Sequence, residues 1–267
     1  MKLHLNTFLK STFALIAAIA LPSCLESETT VTLEKDGSGT IVEETVLGEQ
    51  MLQMMTQFAQ PGAPEPMSEM FNEEKAKARA TELGEGVEFV KMEVIDEEGR
   101  AGARMHYKFS DINDVSLTPG DAVEKLSGEE APAPKAEAKE DSAKFEYADG
   151  KLKIIVPATD YDAMAMSQED SEQNPQMEEM MNKMLADMRI TMKIVIAPGI
   201  ETSEASYTDG DTITLFDVEV GKMMSQKGKL KKISELSKTD KDAAEAEFKK
   251  LEGMKIETKR DVTVTLK

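Results

Sequence analysis

Residues 30–46 read TVTLEKDGSGTIVEETV, two runs of alternating polar and apolar side chains on either side of the glycine-containing segment 36–39. Alternation with a period of two is typical of a half-buried β-strand. Asx-Gly between two such runs is typical of a hairpin turn. The stretch therefore predicts an antiparallel hairpin, and the rest of the chain repeats its pattern.

The same strand signal recurs along the chain, with helical periodicity between the strand pairs. Further strand pairs are predicted at 87–95 with 103–109, at 143–147 with 152–156, and at 190–196 with 212–216. Helices are predicted at 50–58, at 68–83 with Ser68 as its cap, at 174–188 and at 239–251, and a last strand at 255–266. Hairpins mixed with helices, without regular βαβ alternation, predict an α+β fold in which antiparallel hairpins pack with amphipathic helices.

Composition divides this α+β region in two. Residues 119–142 combine Ala, Pro and charged side chains and offer little to bury, so a flexible linker or loop is predicted there. It separates an α+β first half at 30–118 from an α+β second half at 143–267. Both halves follow the order hairpin, helical region, hairpin, which raises the hypothesis that they are related by duplication.

The first 24 residues carry the signs of export. Lys2 and Lys10 precede any acidic residue, and the apolar run 13–21 is too short to span a bilayer. Residues 21–24 read LPSC and resemble the lipobox of bacterial lipoproteins, although proline in the middle departs from the usual pattern. The resemblance implies that residues 1–23 are a lipoprotein signal peptide. The alternative is ordinary cleavage further upstream, which would leave Cys24 as a free thiol.

The lipobox resemblance also implies where the protein is located. Cys24 would carry the acyl chains, palmitate among them, and residues 24–29 would form a short lipidated tether. At about 3.4 Å per extended residue the tether reaches about 20 Å, so the folded part is expected close to the membrane. Leu25 stands where some inner-membrane lipoproteins carry Asp, which favours the periplasmic side of the outer membrane in a Gram-negative cell.

Two short segments resemble a class of envelope lipoproteins. Residues 31–39, VTLEKDGSG, and residues 194–199, IVIAPG, are similar to lipoproteins of the LppM-like kind. That resemblance implies an α+β domain behind a lipidated cysteine and suggests a lipid or another apolar molecule as the ligand.

Charge and composition exclude several function classes. With 32 Lys+Arg against 51 Asp+Glu, the formal net charge is −19, which argues against nucleic acid as a partner. The single cysteine excludes an intrachain disulfide and a cysteine-cluster metal site. His106 is the only histidine after residue 23, and neither a G-x-S-x-G motif nor a phosphate-binding loop is present. No enzymatic activity, cofactor or metal site is therefore expected.

Methionine is the compositional exception, with 19 Met and no Trp. Five methionines share the spacing of one helical stripe: Met177, Met180, Met181, Met184 and Met188. This stripe is the predicted surface for an apolar ligand, because methionine repacks around varied partners. Two alternatives stay open: a stripe that faces the core, and Cu(I) ligation by thioethers with the help of Met164 and Met166.

Two kinds of charged motif have simpler explanations. The segments 36–39 and 209–211 carry acidic side chains that calcium could use, but the left-handed backbone of an Asx-Gly turn explains both. The basic run 227–232, KGKLKK, is interpreted as a solvated connector, with a contact to anionic head groups as the alternative.

Together these features predict a membrane-anchored envelope lipoprotein. Its domain is expected to be a non-enzymatic module that binds lipid, an apolar ligand or an envelope protein partner. The alternative is a structural or assembly lipoprotein with no small-molecule ligand.

Overall fold

The computed structural model describes residues 24–58, 66–119, 121, 142–161, 164 and 185–267. It confirms the predicted α+β class. The strands are β1 Leu25–Leu33, β2 Gly39–Gly48, β3 Glu88–Glu97, β4 Arg100–Phe109, β5 Ser116–Leu117, β6 Ala143–Ala148, β7 Lys151–Ile155, β8 Met188–Ile196, β9 Ile200–Ser203, β10 Thr208–Asp209, β11 Thr212–Glu219, β12 Met254–Ile256 and β13 Asp261–Leu266. The helices are α1 Glu49–Phe58, α2 Pro66–Met70, α3 Glu73–Leu83, α4 Val220–Met224, α5 Lys227–Ser237 and α6 Lys241–Phe248.

The strands form two sheets. The larger sheet has the order β10-β11-β8-β1-β2-β4-β3, with β12 also paired to β11, and the smaller has the order β5-β6-β7-β13-β9. The four predicted strand pairings are confirmed, although β8 and β11 are not a hairpin because β9 and β10 lie between them along the chain. The larger sheet is not purely antiparallel, however, because β1 and β8 lie side by side and run parallel.

The two predicted halves are interleaved rather than separate. Each sheet contains strands from both sides of the segment 119–142, most of which lies outside the described residues. The first hairpin of the first half, β1–β2, lies in the larger sheet, whereas the first hairpin of the second half, β6–β7, lies in the smaller one. The shared order of elements therefore does not extend to a shared topology.

The main core lies between the two sheets. At one end of the larger sheet, every second side chain points toward the smaller sheet and packs against its inner face. α3 covers one side of this core. Fully buried members of this core include Val31, Ile41, Tyr107, Ile194, Leu152, Ile154 and Val264. A second cluster joins α5 and α6 to β11 and β12 through Leu230, Ile233, Phe248 and Ile256.

The predicted tether is wrong beyond its first residue. β1 begins at Leu25, which pairs with Leu47 of β2 on one side and Met188 of β8 on the other. Residues 25–29 alternate between buried and partly buried positions, like the rest of β1. Two of the buried side chains, Ser27 and Thr29, are polar, so the sequence does not show the alternation of polar and apolar residues that is typical of a strand. Cys24, which the lipobox resemblance implies as the lipidated residue, is therefore followed directly by the sheet.

Three other boundaries differ from the predictions. The helix predicted at 68–83 is divided, because Phe71 turns into the core and Asn72, not Ser68, caps α3 by accepting a hydrogen bond from the Lys75 amide. The strand predicted at 255–266 is two strands in different sheets. The basic run 227–232, interpreted as a connector, forms the start of α5 because Leu230 and Ile233 share a buried face.

Candidate functional site

A pocket of about 270 Å³ lies between the inner face of β2 and β4 and the helices α2 and α3. The pocket is lined by Glu43, Thr45, Met70, Phe71, Lys75, Ala78, Arg79, Glu82, Ala103 and Met105. We call it the α3 pocket. Its walls are mainly the apolar parts of these side chains, and its ionic groups are concentrated on one side.

The α3 pocket exists because two elements place small or polar side chains opposite each other. Glu43 and Thr45 are inward-facing residues of β2. The inward-facing residues before and after them along the strand are apolar. Their cross-strand partners on β4 are Met105 and Ala103. Ala103 is small, and on the facing side α3 places the small Ala78 among Lys75, Arg79 and Glu82. The sheet and the helix are therefore not filled to close packing here.

A buried ion pair forms the polar side of the pocket. The Arg79 guanidinium donates from Nη2 to Glu43 Oε1 at 2.8 Å and from Nε to the same oxygen at 3.2 Å. Its Nη1 donates to Asp121 at 3.1 Å and to Glu82 at 3.3 Å. Burial alone would lower the pKa of Arg79, but the attraction of Glu43 and Asp121 outweighs it and raises the pKa. Arg79 is thus permanently charged and already saturated with carboxylates.

Tyr107 is a second buried polar side chain near this ion pair, on the inner face of the sheet. Its ring is fully buried, and its hydroxyl donates to the sulfur of Met105 at 3.3 Å. Burial raises the pKa of Tyr107, and the negative charge of Glu43 raises it further. The phenol is therefore neutral near neutral pH and packs in the core.

The α3 pocket combines an apolar lining with charged groups that are already paired. Among the described lining residues of the α3 pocket none is Ser, Cys or His, and Arg79 is held by its carboxylate partners. Across the described ranges, no group of three His, Cys, Asp or Glu side chains is placed to hold a metal ion. An apolar ligand could contact Met70, Phe71 and Met105 while a polar end meets Lys75 at the rim.

The predicted methionine stripe lies mostly outside the described residues. Met177, Met180, Met181 and Met184 belong to the part of the chain that the structure does not describe. Met188 does not end a helix, because it is the first residue of β8 and is buried beside Leu25 and Leu47. Met164 packs against the cluster formed by α5 and α6. The stripe as a ligand surface stays a prediction.

Cys24 lies at the edge of the larger sheet and is buried. Its carbonyl accepts a hydrogen bond from the Gly48 amide at 2.8 Å, and its thiol donates to Gln50 Oε1 at 3.6 Å. Burial raises the pKa of the Cys24 thiol, and the nearby charge of Asp187 raises it further. In the folded domain the thiol is thus neutral and a weak nucleophile.

Around Cys24 the structure assembles a methionine-rich cluster that sequence reasoning did not identify as a unit. Buried Leu25, Leu47 and Met188 form its centre. Partly buried side chains from α1, α2 and the flanking segments surround them: Met51, Leu52, Met55, Met67, Met70, Leu185, Ile190 and Val220. The helical spacing of the α1 methionines is visible in the sequence and could have indicated this part of the cluster. The other segments join the cluster only because the sheet brings them together, and the sequence does not show that.

The structure also describes His106 and the two predicted turns. His106 lies on the outer face of the larger sheet, 3.3 Å from a carboxylate oxygen of Glu93. Lys91 and His106 together lower the pKa of Glu93 to about 2. Both proposed turns are confirmed: Gly37 and Gly210 have positive φ angles, and Asp36 accepts from the amide and hydroxyl of Ser38.

The comparisons with known proteins are sparse. No known protein family matches the chain, and no curated protein matches it. Among solved structures, the NMR structure of the folded domain of the LppM protein from Mycobacterium tuberculosis is similar, with a TM-score of 0.30 and 10% identity over 76% of this chain and 88% of that chain. This is a distant structural resemblance to a mycobacterial lipoprotein domain. Within the described ranges, no helix has both the length and the apolar character to span a membrane.

Proposed function

We propose that this protein is a bacterial envelope lipoprotein, anchored through Cys24, whose α+β domain binds an apolar ligand in the α3 pocket. The observation that carries the proposal is the pocket itself, an apolar space of about 270 Å³ between a sheet and a helix. Ligand pockets typically have volumes of about 300–1,000 Å³. The α3 pocket lies just below this range, which suits one short acyl chain or a similarly small apolar molecule rather than a whole phospholipid.

The LPSC sequence at residues 21–24 supports the proposed anchor. Because the thiol is buried and neutral in the folded domain, we expect its acylation to precede folding. More than one acyl chain on one residue gives stable anchoring where a single chain gives only reversible binding. The proposed location is the periplasmic side of the outer membrane.

The Cys24→Ser substitution tests the anchor. Without a thiol no thioether-linked lipid can form, so nearly all of the protein is expected in the soluble fraction after cell lysis and centrifugation. Ser27→Ala, three residues further along β1, is the matched control and is expected to stay with the membranes. Membrane retention of Cys24→Ser would contradict the proposed anchor.

A substitution at the mouth of the α3 pocket tests the ligand. Ala78→Leu places three extra carbons over the opening, and a ligand that loses contact with two methylenes binds about tenfold more weakly. Mass spectrometry of solvent extracts is expected to show an apolar molecule with the purified wild-type protein and about tenfold less with Ala78→Leu.

The control for this experiment is Ala246→Leu, the same change at an exposed alanine of α6. It is expected to leave the amount of extracted ligand unchanged. The absence of any apolar molecule from the wild-type extract would favour the alternative, a structural or assembly lipoprotein without a small-molecule ligand.

A further inference from the structure

Four strand ends meet at one edge of the larger sheet, which we call the Cys24 edge. β1 and β8 begin there, and β2 and β11 end there, as the pairs Leu25–Leu47, Leu25–Met188 and Arg189–Glu219 show. α1 follows β2 directly and α4 follows β11 directly. The anchor residue, α1 and α4 are therefore all on the same side of the molecule.

The α1 part of the Cys24 edge is unusually free of charge. Charged residues make up 31% of the chain, yet residues 50–58 of α1 contain none. By contrast, α3 has Glu, Lys or Arg at more than half of its positions. Met51 and Met55 of α1 are only partly buried against Leu25 and Leu47. Neutral polar and thioether side chains of this kind are compatible with the boundary between head groups and acyl chains.

The α4–α5 part of the Cys24 edge is basic in an otherwise acidic chain. Residues 220–232 contain five lysines and no acidic residue: Lys222, Lys227, Lys229, Lys231 and Lys232. Val220 packs on the Leu25 cluster, and a Cβ atom on Gly221 would be 2.1 Å from the Ala186 carbonyl oxygen. α4 is thus held closely against the chain that leads into β8, which positions the lysines that follow.

Acidic residues occupy the opposite side of the same edge. A groove between α1 and the β3–β4 turn is lined by Glu49, Leu52 and Glu98. Glu97 and Glu98 in this turn are exposed. At α4, Lys222 is paired with Glu219 at 2.7 Å, and Asp187 lies near Cys24. The positive charge opposite the β3–β4 turn is therefore that of the lysines of 227–232.

We propose that the Cys24 edge lies against a membrane surface that contains anionic phospholipid. The lysines of 227–232 face the head groups, the uncharged residues of α1 lie at the interface, and the β3–β4 turn tilts away. This orientation rests on the proposed anchoring through Cys24, and the absence of a spacer before β1 brings the edge within reach of the bilayer. Each lysine near an anionic surface strengthens such a contact about fivefold.

The single cysteine makes the orientation measurable. Once Cys24 carries lipid, a Gly228→Cys substitution supplies the only free thiol, and a Cβ atom at Gly228 meets open space. The full-length lipidated protein is labelled there with a fluorophore and incorporated into vesicles with head-group quenchers. We expect strong quenching in vesicles that contain phosphatidylglycerol and weak quenching in pure phosphatidylcholine. A label at Asp209→Cys, beyond the opposite end of β11, is expected to stay unquenched in both.

Charge reversal separates the orientation from the anchor. Lys229→Glu with Lys232→Glu is expected to reduce the quenched population more than about tenfold, because two attractive contacts become repulsive. The control, Lys144→Glu with Lys151→Glu on the smaller sheet, makes the same change in net charge and should have no effect. Equal quenching at both label positions, or quenching independent of phosphatidylglycerol, overturns the orientation even when Cys24→Ser is released from cell membranes. Retention of Cys24→Ser contradicts the anchor and, with it, this orientation.

Discussion

Replacing Arg79 by methionine is expected to lower the free energy of unfolding by about 3–5 kcal/mol. The substitution leaves Glu43, whose side chain is 6% exposed, as a buried carboxylate without its cation. Glu82 and Asp121 lose the same partner, but they are more exposed and can be solvated in place. The destabilisation should therefore come mainly from Glu43, and urea unfolding measures it.

A double-mutant cycle identifies the unpaired carboxylate as the cause. Glu43→Gln removes the buried negative charge at nearly constant volume, so adding it to Arg79→Met should recover most of the lost stability. Lys77→Met on the same helix breaks an exposed pair with Glu73 and is expected to cost less than about 1 kcal/mol. If the double variant were as unstable as Arg79→Met alone, packing of the arginine stem rather than charge would be responsible.

Local sequence patterns were sufficient to predict the hairpins. The alternation of β1 and β2 and the glycine turn between them predict their pairing without reference to the rest of the chain, and the other hairpins follow in the same way. The β1–β8 pairing could not be predicted, because it joins residues more than 160 positions apart and depends on which strand ends share an edge. The start of β1 was missed for a related reason, since Ser27 and Thr29 are buried by their neighbours rather than by their own hydrophobicity.

The α3 pocket shows why the candidate site was harder to predict than the fold. Its polar side joins Glu43 of β2 to Arg79 of α3, which are 36 residues apart. One signal was available in the sequence: alternation from Ile41 places Glu43 on the inward face, and an inward carboxylate requires a cation. The sequence does not indicate which of the 32 Lys and Arg residues supplies it. The pocket itself follows from the size of Ala103 and Ala78, and it arises only once β4 and α3 face each other.

Gly102→Ala is the second substitution expected to have a large effect, about 3 kcal/mol of lost stability. Gly102 lies in β4 where this strand passes close to β2, and a Cβ atom there would be 2.0 Å from the Thr45 carbonyl oxygen and 2.9 Å from the Val46 Cα atom. Both obstacles are backbone, so a side-chain rotation cannot relieve the clash and the two strands must separate. Because Thr45 lines the α3 pocket, the same change should also weaken ligand binding.

Gly228→Ala is the matched control for this prediction. It also adds one methyl group to a glycine, but its Cβ atom meets open space at the start of α5. Alanine loses less backbone entropy than glycine in a helix, so the control is expected to be stabilised by about 0.5–1 kcal/mol. Urea unfolding of the two variants should therefore move the transition midpoint in opposite directions. A Gly102→Ala protein as stable as the wild type would mean that β2 and β4 are not in such close contact along this part of the sheet.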